Sequence, residues 1–456
     1  MRFLFLVLFL FSTTLTSLIA TAMPVDNLAQ EAKLPVPSSR AQTLYKSARN
    51  DLLQIRVLLK NGRTQSSVGS GFLIGTSPLV VTNYHVVSQI VMHPENYIGE
   101  FVDTNGERGN VELLAVDALH DLAVVKISRN GTGYFKVPEA LPTLSQGQYL
   151  YSLGNPLDLG FAISEGAYNG IIRRGFYDQL MFTGPINAGM SGGPNITQDG
   201  QVAGVNVSKR MDGELVSFLV PVKYVRDLLN EAEQRDQQKT VATTVASIVF
   251  KKEVGQQLLT HQNSMLDNVL SEPLSLKTLG DYQVPVRESD QMRCWGSSND
   301  NKDSPFDFSS INCSMESAIF VSNQLTVGQI SIRHEYIKAT NMGRLRFSAL
   351  QSSSFKNEAF GNDKDVNRTS PMCNERFVTN SKIPMRAVIC VRAYREFDGL
   401  YDFSLLTAAT DESLISLQSR LDVTGVSYEN GLRLASTFIK GLGRIPETNE
   451  GSEVEK

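Results

Sequence analysis

The run Gly189-Met190-Ser191-Gly192-Gly193-Pro194 constrains this chain more than any other stretch, because it reads as a tight glycine turn presenting one serine hydroxyl and backbone N–H groups. At average glycine, proline and serine usage such a run is a rare accident. A purely structural turn of this composition would leave the upstream pattern unexplained.

Upstream, Val80-Val81-Thr82-Asn83-Tyr84-His85-Val86-Val87 reads as a strand carried by β-branched residues straight into a histidine, after the small-residue run Gly69-Ser70-Gly71-Phe72-Leu73-Ile74. In Asp117-Ala118-Leu119-His120-Asp121-Leu122-Ala123-Val124-Val125-Lys126-Ile127 an acidic turn feeds an apolar strand with Asp121 at its mouth. The chain order is histidine, aspartate, serine. These residue types suffice for acyl transfer when they meet in space: a serine hydroxyl needs an imidazole to take its proton, and the imidazole needs a carboxylate to fix its tautomer. Ser191 is the candidate nucleophile, His85 the base and Asp121 its orienter. The backbone N–H groups of Gly189 and Ser191 are the candidate oxyanion donors, each such donor being worth about 3 kcal/mol of barrier.

The chain resembles the trypsin-fold serine proteases, and among them the HtrA (Deg) type. The resemblance runs from about Asp51 to Leu229 and is carried by the blocks above together with Leu153-Gly-Asn-Pro, Ile186-Asn-Ala-Gly-Met-Ser-Gly-Gly-Pro, Gly204-Val-Asn and Ser217-Phe-Leu-Val-Pro-Val. It implies two antiparallel six-stranded β-barrels with the site between them. Asp117 competes with Asp121 for the carboxylate role, but only Asp121 directly precedes the apolar strand, as in the family. His120 reads as a neighbour, and His93, His261 and His334 match no motif. No cluster has metal-ligand spacing, so neither a metal nor another cofactor is expected.

Met190 departs from the family. Chymotrypsin-like enzymes carry an acidic residue before the serine to bind a newly freed N-terminus, and HtrA-type enzymes usually have asparagine; methionine is apolar and flexible. Activation through a freed amine is therefore not expected, and a turn that orders only when substrate or partner arrives is an open reading. The resemblance places the specificity pocket at Gly184 to Ala188, Asn206-Val207-Ser208 and Ser217-Phe218-Leu219, with Gly184, Asn206, Val207 and Phe218 as candidate lining residues. No acidic residue lies there. Cleavage after small or aliphatic residues follows, rather than after Lys or Arg.

Residues 1–22 read as a secretory signal: a basic start, an apolar run from Phe3 to Phe11, and Ala20-Thr21-Ala22 at the cleavage position. An exported protein, periplasmic or secreted, is expected. A membrane anchor is the competing reading, but hydroxyl residues interrupt the run and the mature chain has no second candidate span. The net charge of −4 gives no basic footprint for nucleic acid, and polypeptide is the expected substrate.

The expected layout is a mobile lead-in over 23–47 and a protease domain over 48–237, its barrels at about 48–135 and 136–237. A helical connector at 238–275, an α+β domain at 276–445 and an acidic tail at 446–456 follow. Val222, Val225, Leu228, Leu229 and Ala232 recur at helical spacing, as do Val254, Leu258, Leu259, Met265, Leu266, Val269 and Leu270. In the last domain 329–337, Arg344-Leu-Arg-Phe and 387–394 alternate like strands, while Ser413 to Leu421 and Leu432 to Leu442 look helical. No carboxylate-binding loop of a PDZ domain is recognisable there. Cys294, Cys313, Cys373 and Cys390 all fall in this domain, an even number that points to disulfides in an exported protein; proximity favours Cys294 with Cys313 and Cys373 with Cys390, out of three connectivities. A zinc site is the weaker alternative.

Two functions fit: an exported serine endopeptidase acting through an acyl-enzyme on Ser191, or a protease-fold binding or scaffolding protein with an inactive or conditionally ordered turn. In either case the C-terminal domain is expected to engage a secreted or envelope protein partner, or to pack over the cleft.

Overall fold

The computed structural model describes residues 38–209, 216–238, 243–299, 303–356, 360, 365–380 and 382–445. The expected signal sequence, most of the expected lead-in and the expected acidic tail lie outside the described residues.

Ser39–Ala48 is a helix (α1), a correction to the mobile lead-in expected up to residue 47. Ala41, Leu44 and Ala48 recur every three or four residues and are buried, which holds the segment against the barrels despite its polar composition. Six strands follow: β1 (Leu52–Leu59), β2 (Gln65–Leu73), β3 (Leu79–Thr82), β4 (Tyr97–Asp103), β5 (Arg108–Asp117) and β6 (Leu122–Lys126), with α2 (Tyr84–Met92) between β3 and β4. They close a barrel in the order β1-β2-β3-β6-β5-β4. A second closed barrel, in the order β10-β11-β12-β9-β8-β7, is formed by β7 (Tyr149–Gly154), β8 (Ala162–Ile172), β9 (Gln179–Phe182), β10 (Pro194–Thr197), β11 (Val202–Lys209) and β12 (Ser217–Pro221).

The apolar runs of the first barrel are continuous because both faces of its strands are covered. Alternate residues go to different cores. Leu79, Val81, Leu122 and Val124 join a core with α1, α3 (Val222–Gln238) and second-barrel residues such as Leu153, Val205 and Val220. Val80, Ala123 and Val125 join another core, with Val87 and Val91 of α2 and Phe250, Val254 and Leu258 of α4 (Thr243–Leu270). In α3 the five residues expected on the apolar face are the buried ones.

The C-terminal region contains β13 (Ser275–Leu279), β14 (Tyr282–Val286), β15 (Met292–Ser298), β16 (Phe306–Met315), β17 (Ile319–Ser322), β18 (Leu325–Val327), β19 (Ile330–Ala339), α5 (Arg344–Ser354), β20 (Met372–Thr379), β21 (Pro384–Ala393), β22 (Tyr401–Ala409), β23 (Ile415–Val426), α6 (Tyr428–Gly441) and β24 (Gly443–Arg444). A seven-stranded antiparallel sheet runs β15-β16-β19-β23-β22-β21-β20, beside a three-stranded sheet β13-β14-β24 and a separate hairpin β17-β18. This is the α+β module expected, with two corrections. Ile415–Val426 is a central strand rather than a helix, buried along most of its length by neighbours on both sides, and that tertiary pairing overrides its helical spacing. Arg344-Leu-Arg-Phe opens a helix instead of a strand: four alternating residues are too few to set a period, and only Phe347 is buried in the helix that continues to Ser354.

Cys294 is bonded to Cys313 and Cys373 to Cys390. Each pair sits directly across neighbouring strands, and the two bonds tie the two edge strands of the seven-stranded sheet, β15 and β20, to β16 and β21. No helix among the described residues is long and apolar enough to cross a membrane.

Candidate active site

His85 is the second residue of α2, not the end of a strand as its β-branched surroundings suggest; β3 stops at Thr82 and Asn83 is the residue before the helix. Tyr84, Val86, Val87 and Val91 are buried, so packing stabilises a helix that the propensity of valine alone would not. Asp121 occupies the turn between β5 and β6 with φ of 54°, a left-handed conformation unusual outside glycine. Its Oδ2 lies 2.6 Å from His85 Nδ1, and its Oδ1 accepts the His85 backbone N–H at 2.8 Å. Asn83, wholly buried, donates from its side chain to the Asp121 carbonyl at 2.6 Å. The imidazole is thus fixed through its Nδ1 side.

Burial by itself lowers the His85 pKa, but the charge of Asp121 and its hydrogen bond outweigh this and leave it above the usual histidine value. The side chain is 31% exposed. The competing carboxylate, Asp117, belongs to a separate couple: its Oδ2 lies 2.6 Å from His120 Nδ1, and its Oδ1 accepts the N–H groups of Leu119 and His120. His120 in turn stacks on Tyr224 at 3.8 Å between ring centroids. That couple shapes the turn leading to Asp121.

Ser191 sits in a turn anchored to both barrels. Ser70 of β2, absent from the roles assigned from sequence, is the hub: its N–H donates to the Ser191 carbonyl at 2.7 Å, its hydroxyl donates to the Gly189 carbonyl at 2.6 Å, and that same hydroxyl accepts the Asn155 N–H. Gly192, with φ of 86°, lies so close to β2 and β3 that a Cβ there would stand 2.2 Å from the Ser70 carbonyl oxygen and 2.4 Å from Thr82 Oγ1. A Cβ on Gly69 would stand 2.4 Å from the Val86 side chain and 3.0 Å from the Ser191 carbonyl oxygen, so the side chain next to His85 and the Ser191 backbone converge on one glycine.

Met190 is buried among Leu150, Tyr168, Leu180, Phe182, Ile186, Ala203 and Leu219. Burying such a side chain contributes roughly 1.5–3 kcal/mol, so the residue that looked like a source of looseness anchors the turn in the second barrel. Its N–H donates to Asn187 and its carbonyl accepts from the Gly193 N–H. Among the described residues the N–H groups of Gly189 and Ser191 donate to no protein acceptor. Ser191 Oγ donates to the Val207 carbonyl at 3.1 Å, and no hydrogen bond joins it to His85.

Of the expected pocket residues, Asn206 is reassigned. It is wholly buried, its side chain donates to the carbonyls of Leu153 and Met190 and accepts from Ser152 Oγ, and it serves as a strut beneath the serine turn. Gly184 is also buried, its carbonyl accepting from Ser217 Oγ, whereas Val207 and Phe218 remain half-buried. Of the remaining histidines, His334 is a core residue held between Ser419 Oγ and the Pro285 carbonyl, and burial drives its pKa down to about 4. Among the described residues no group of side chains could hold a metal ion.

Two contributors come from beyond the barrels. Gln257 of α4 accepts the Ala118 N–H at 2.9 Å and donates to the Val116 carbonyl at 2.8 Å, bracketing the start of the turn that ends in Asp121. Phe320 of β17 stands edge-on to the His85 ring, 6.1 Å between centroids. No local motif marks either residue in the sequence.

Residues 69–205 match the trypsin-like peptidase domain. Serine protease HTRA2, mitochondrial, of Drosophila virilis is 30% identical over 178 residues, 37% of this chain and 41% of that protein. Human serine protease HTRA4 is 33% identical over 171 residues, 36% of this chain and 34% of that protein. The chain therefore spans less than half the length of these curated relatives. A crystal structure of the serine endoprotease from Yersinia pestis superposes with a TM-score of 0.37 at 23% identity, covering 43% of this chain and 67% of that one. The stretch that spans the two barrels is thus similar to the trypsin-like peptidase domain and to the HtrA proteases.

Proposed function

We propose that this chain is a serine endopeptidase. The observation that carries the reading is the double grip of Asp121 on His85, next to a serine turn whose Gly189 and Ser191 amides are left without protein partners. In the reaction His85 Nε2 takes the proton of Ser191 Oγ as the oxygen attacks the scissile carbonyl, and Asp121 stabilises the resulting imidazolium. The Gly189 and Ser191 N–H groups receive the oxyanion. Collapse passes the proton to the leaving amine and leaves an acyl ester on Ser191, which water then hydrolyses by the same relay.

Reaching His85 requires the Ser191 hydroxyl to leave the Val207 carbonyl; catalytic hydrogen bonds often close only with substrate bound. That same hydrogen bond is what favours the alternative, a protease-fold binding protein whose serine stays disengaged. Half-buried Val207 and Phe218, with no acid in the expected pocket segments, support cleavage after small or aliphatic residues. Two disulfides support export, since such bonds persist in oxidising compartments. A secreted or envelope protein partner for the C-terminal domain belongs to the same reading.

The test is incubation of the chain and its Ser191→Ala variant with an unfolded protein, followed by sequencing of the new termini. The reading expects fragments only with the unaltered chain, with small or aliphatic residues before the cut. Intact substrate in both samples would overturn it, and cuts mainly after Lys or Arg would overturn the specificity.

A further inference from the structure

We propose that the β17-β18 hairpin of the C-terminal domain supplies a wall of the substrate cleft in cis, with Phe320 receiving an apolar substrate side chain adjacent to the scissile bond. The inference rests on the serine endopeptidase reading.

Three observations carry it. First, Phe320 of the C-terminal domain meets the His85 ring edge-on at 6.1 Å. One residue of extended chain spans about 3.3–3.6 Å, so a ring 6.1 Å from the imidazole stands about two residue lengths from the base that acts on the scissile carbonyl. Second, Phe320 is half-buried while its neighbours Ile319 and Val321 are buried at 4% and 0% exposure. The strand alternates, so Phe320 lies on the face less buried than that of Ile319 and Val321. Third, the hairpin is fixed from both directions. The Tyr84 hydroxyl, on the residue before His85, donates to the Val321 carbonyl at 2.9 Å, and the Tyr84 and Phe320 rings meet edge-on.

From the other side Arg368 donates to the Thr326 carbonyl of β18 while pairing with Asp402, itself 1% exposed, and with Asp365. The Gly328 N–H donates to the Thr424 carbonyl just after the hairpin. A wall held this way is preorganised and adds little ordering cost when substrate arrives. His85 keeps 31% of its side chain exposed, so the hairpin borders the cleft without sealing it. An apolar ring edge offers no hydrogen bond and no charge, which selects aliphatic or aromatic side chains over charged ones.

The test compares kcat/KM for peptide pairs differing only at one position flanking the cut, leucine against aspartate, in the full chain and in Phe320→Ala. The ratio is measured on one preparation, so a loss of active molecules cancels. At one flanking position the unaltered chain is expected to prefer leucine, and Phe320→Ala to lower that preference by at least about tenfold. Should Phe320→Ala fail to fold, Phe320→Leu, which keeps an apolar side chain, is expected to lower the preference by roughly two- to fivefold. An unchanged ratio at every flanking position in the folded variant overturns the inference alone. A chain that cleaves no peptide and takes up no fluorophosphonate overturns the endopeptidase reading and this inference with it.

Discussion

Asp121 holds His85 at two points, its Oδ2 2.6 Å from the ring Nδ1 and its Oδ1 accepting the backbone N–H at 2.8 Å. One carboxylate therefore sets both the tautomer of the imidazole and the start of the helix that carries it. Asp121→Asn puts an amide N–H where one of those acceptors stood. The expected result is a fall in kcat of about 10⁴-fold with KM little changed, read with a peptide or ester substrate. A loss under tenfold would mean that the pair does not orient the base.

The same pair fixes the acid limb of activity. His85 must be neutral to accept the serine proton, and its pKa is raised because Asp121's charge and hydrogen bond outweigh the opposing effect of burial. In a pH profile of kcat/KM, activity is therefore expected to fall with acidification through a value above the ordinary ~6.5 of histidine. The sign for stability is opposite: the pair's contribution is full below the unfolded value and is lost as pH rises through the folded one. An acid limb below about 6 contradicts this.

Gln257 extends the support beyond the barrels, since its side chain replaces two backbone partners for Val116 and Ala118. Gln257→Leu strands both groups and loosens the turn that places Asp121. The expected outcome is a 10- to 100-fold fall in kcat, roughly what displacing a catalytic group by about 1 Å costs, with partial recovery in Gln257→Glu, which keeps the acceptor for Ala118. Combining Gln257→Leu with Asp121→Asn separates positioning from general destabilisation, because a positioning effect adds little once Asp121 no longer orients the base. Full additivity would refute the positioning role.

In the C-terminal domain His334 is expected to contribute to acid sensitivity. Buried between Ser419 and Pro285 and stacked on Phe438, it titrates at about 4, while the unfolded chain takes up the proton near ~6.5. The folded-state pKa is depressed, so the stability is present above ~6.5 and is lost as pH falls toward 4, by roughly 3 kcal/mol. Thermal midpoints measured from pH 7 to 4 are expected to drop in the unaltered chain and to drop less in His334→Gln. Parallel curves would count against the assignment.

The protease half was legible because its signals are local. The histidine, aspartate and serine blocks lie where turns and strand ends must fall, and the five apolar residues of α3 turn up as its buried face. Sequence pattern misleads where packing decides. Val86 and Val87 look like strand residues yet sit in a helix capped by the Asp121 carboxylate, and Ile415–Val426 looks helical yet is buried as a central strand. Asn206 shared a motif with pocket residues, but its side chain faces the underside of the serine turn, an orientation spacing does not encode. Gln257 and Phe320 were invisible for a different reason: each acts on a turn or helix far away in sequence, Gln257 from 139 residues downstream of Ala118.

If Ser191 is an activated nucleophile, a fluorophosphonate, which needs no peptide recognition, should titrate it. Stoichiometric labelling of the full chain is expected, with the adduct mapped by mass spectrometry to Ser191 and abolished in Ser191→Ala. Labelling of neither form, or equal labelling of both, would contradict it.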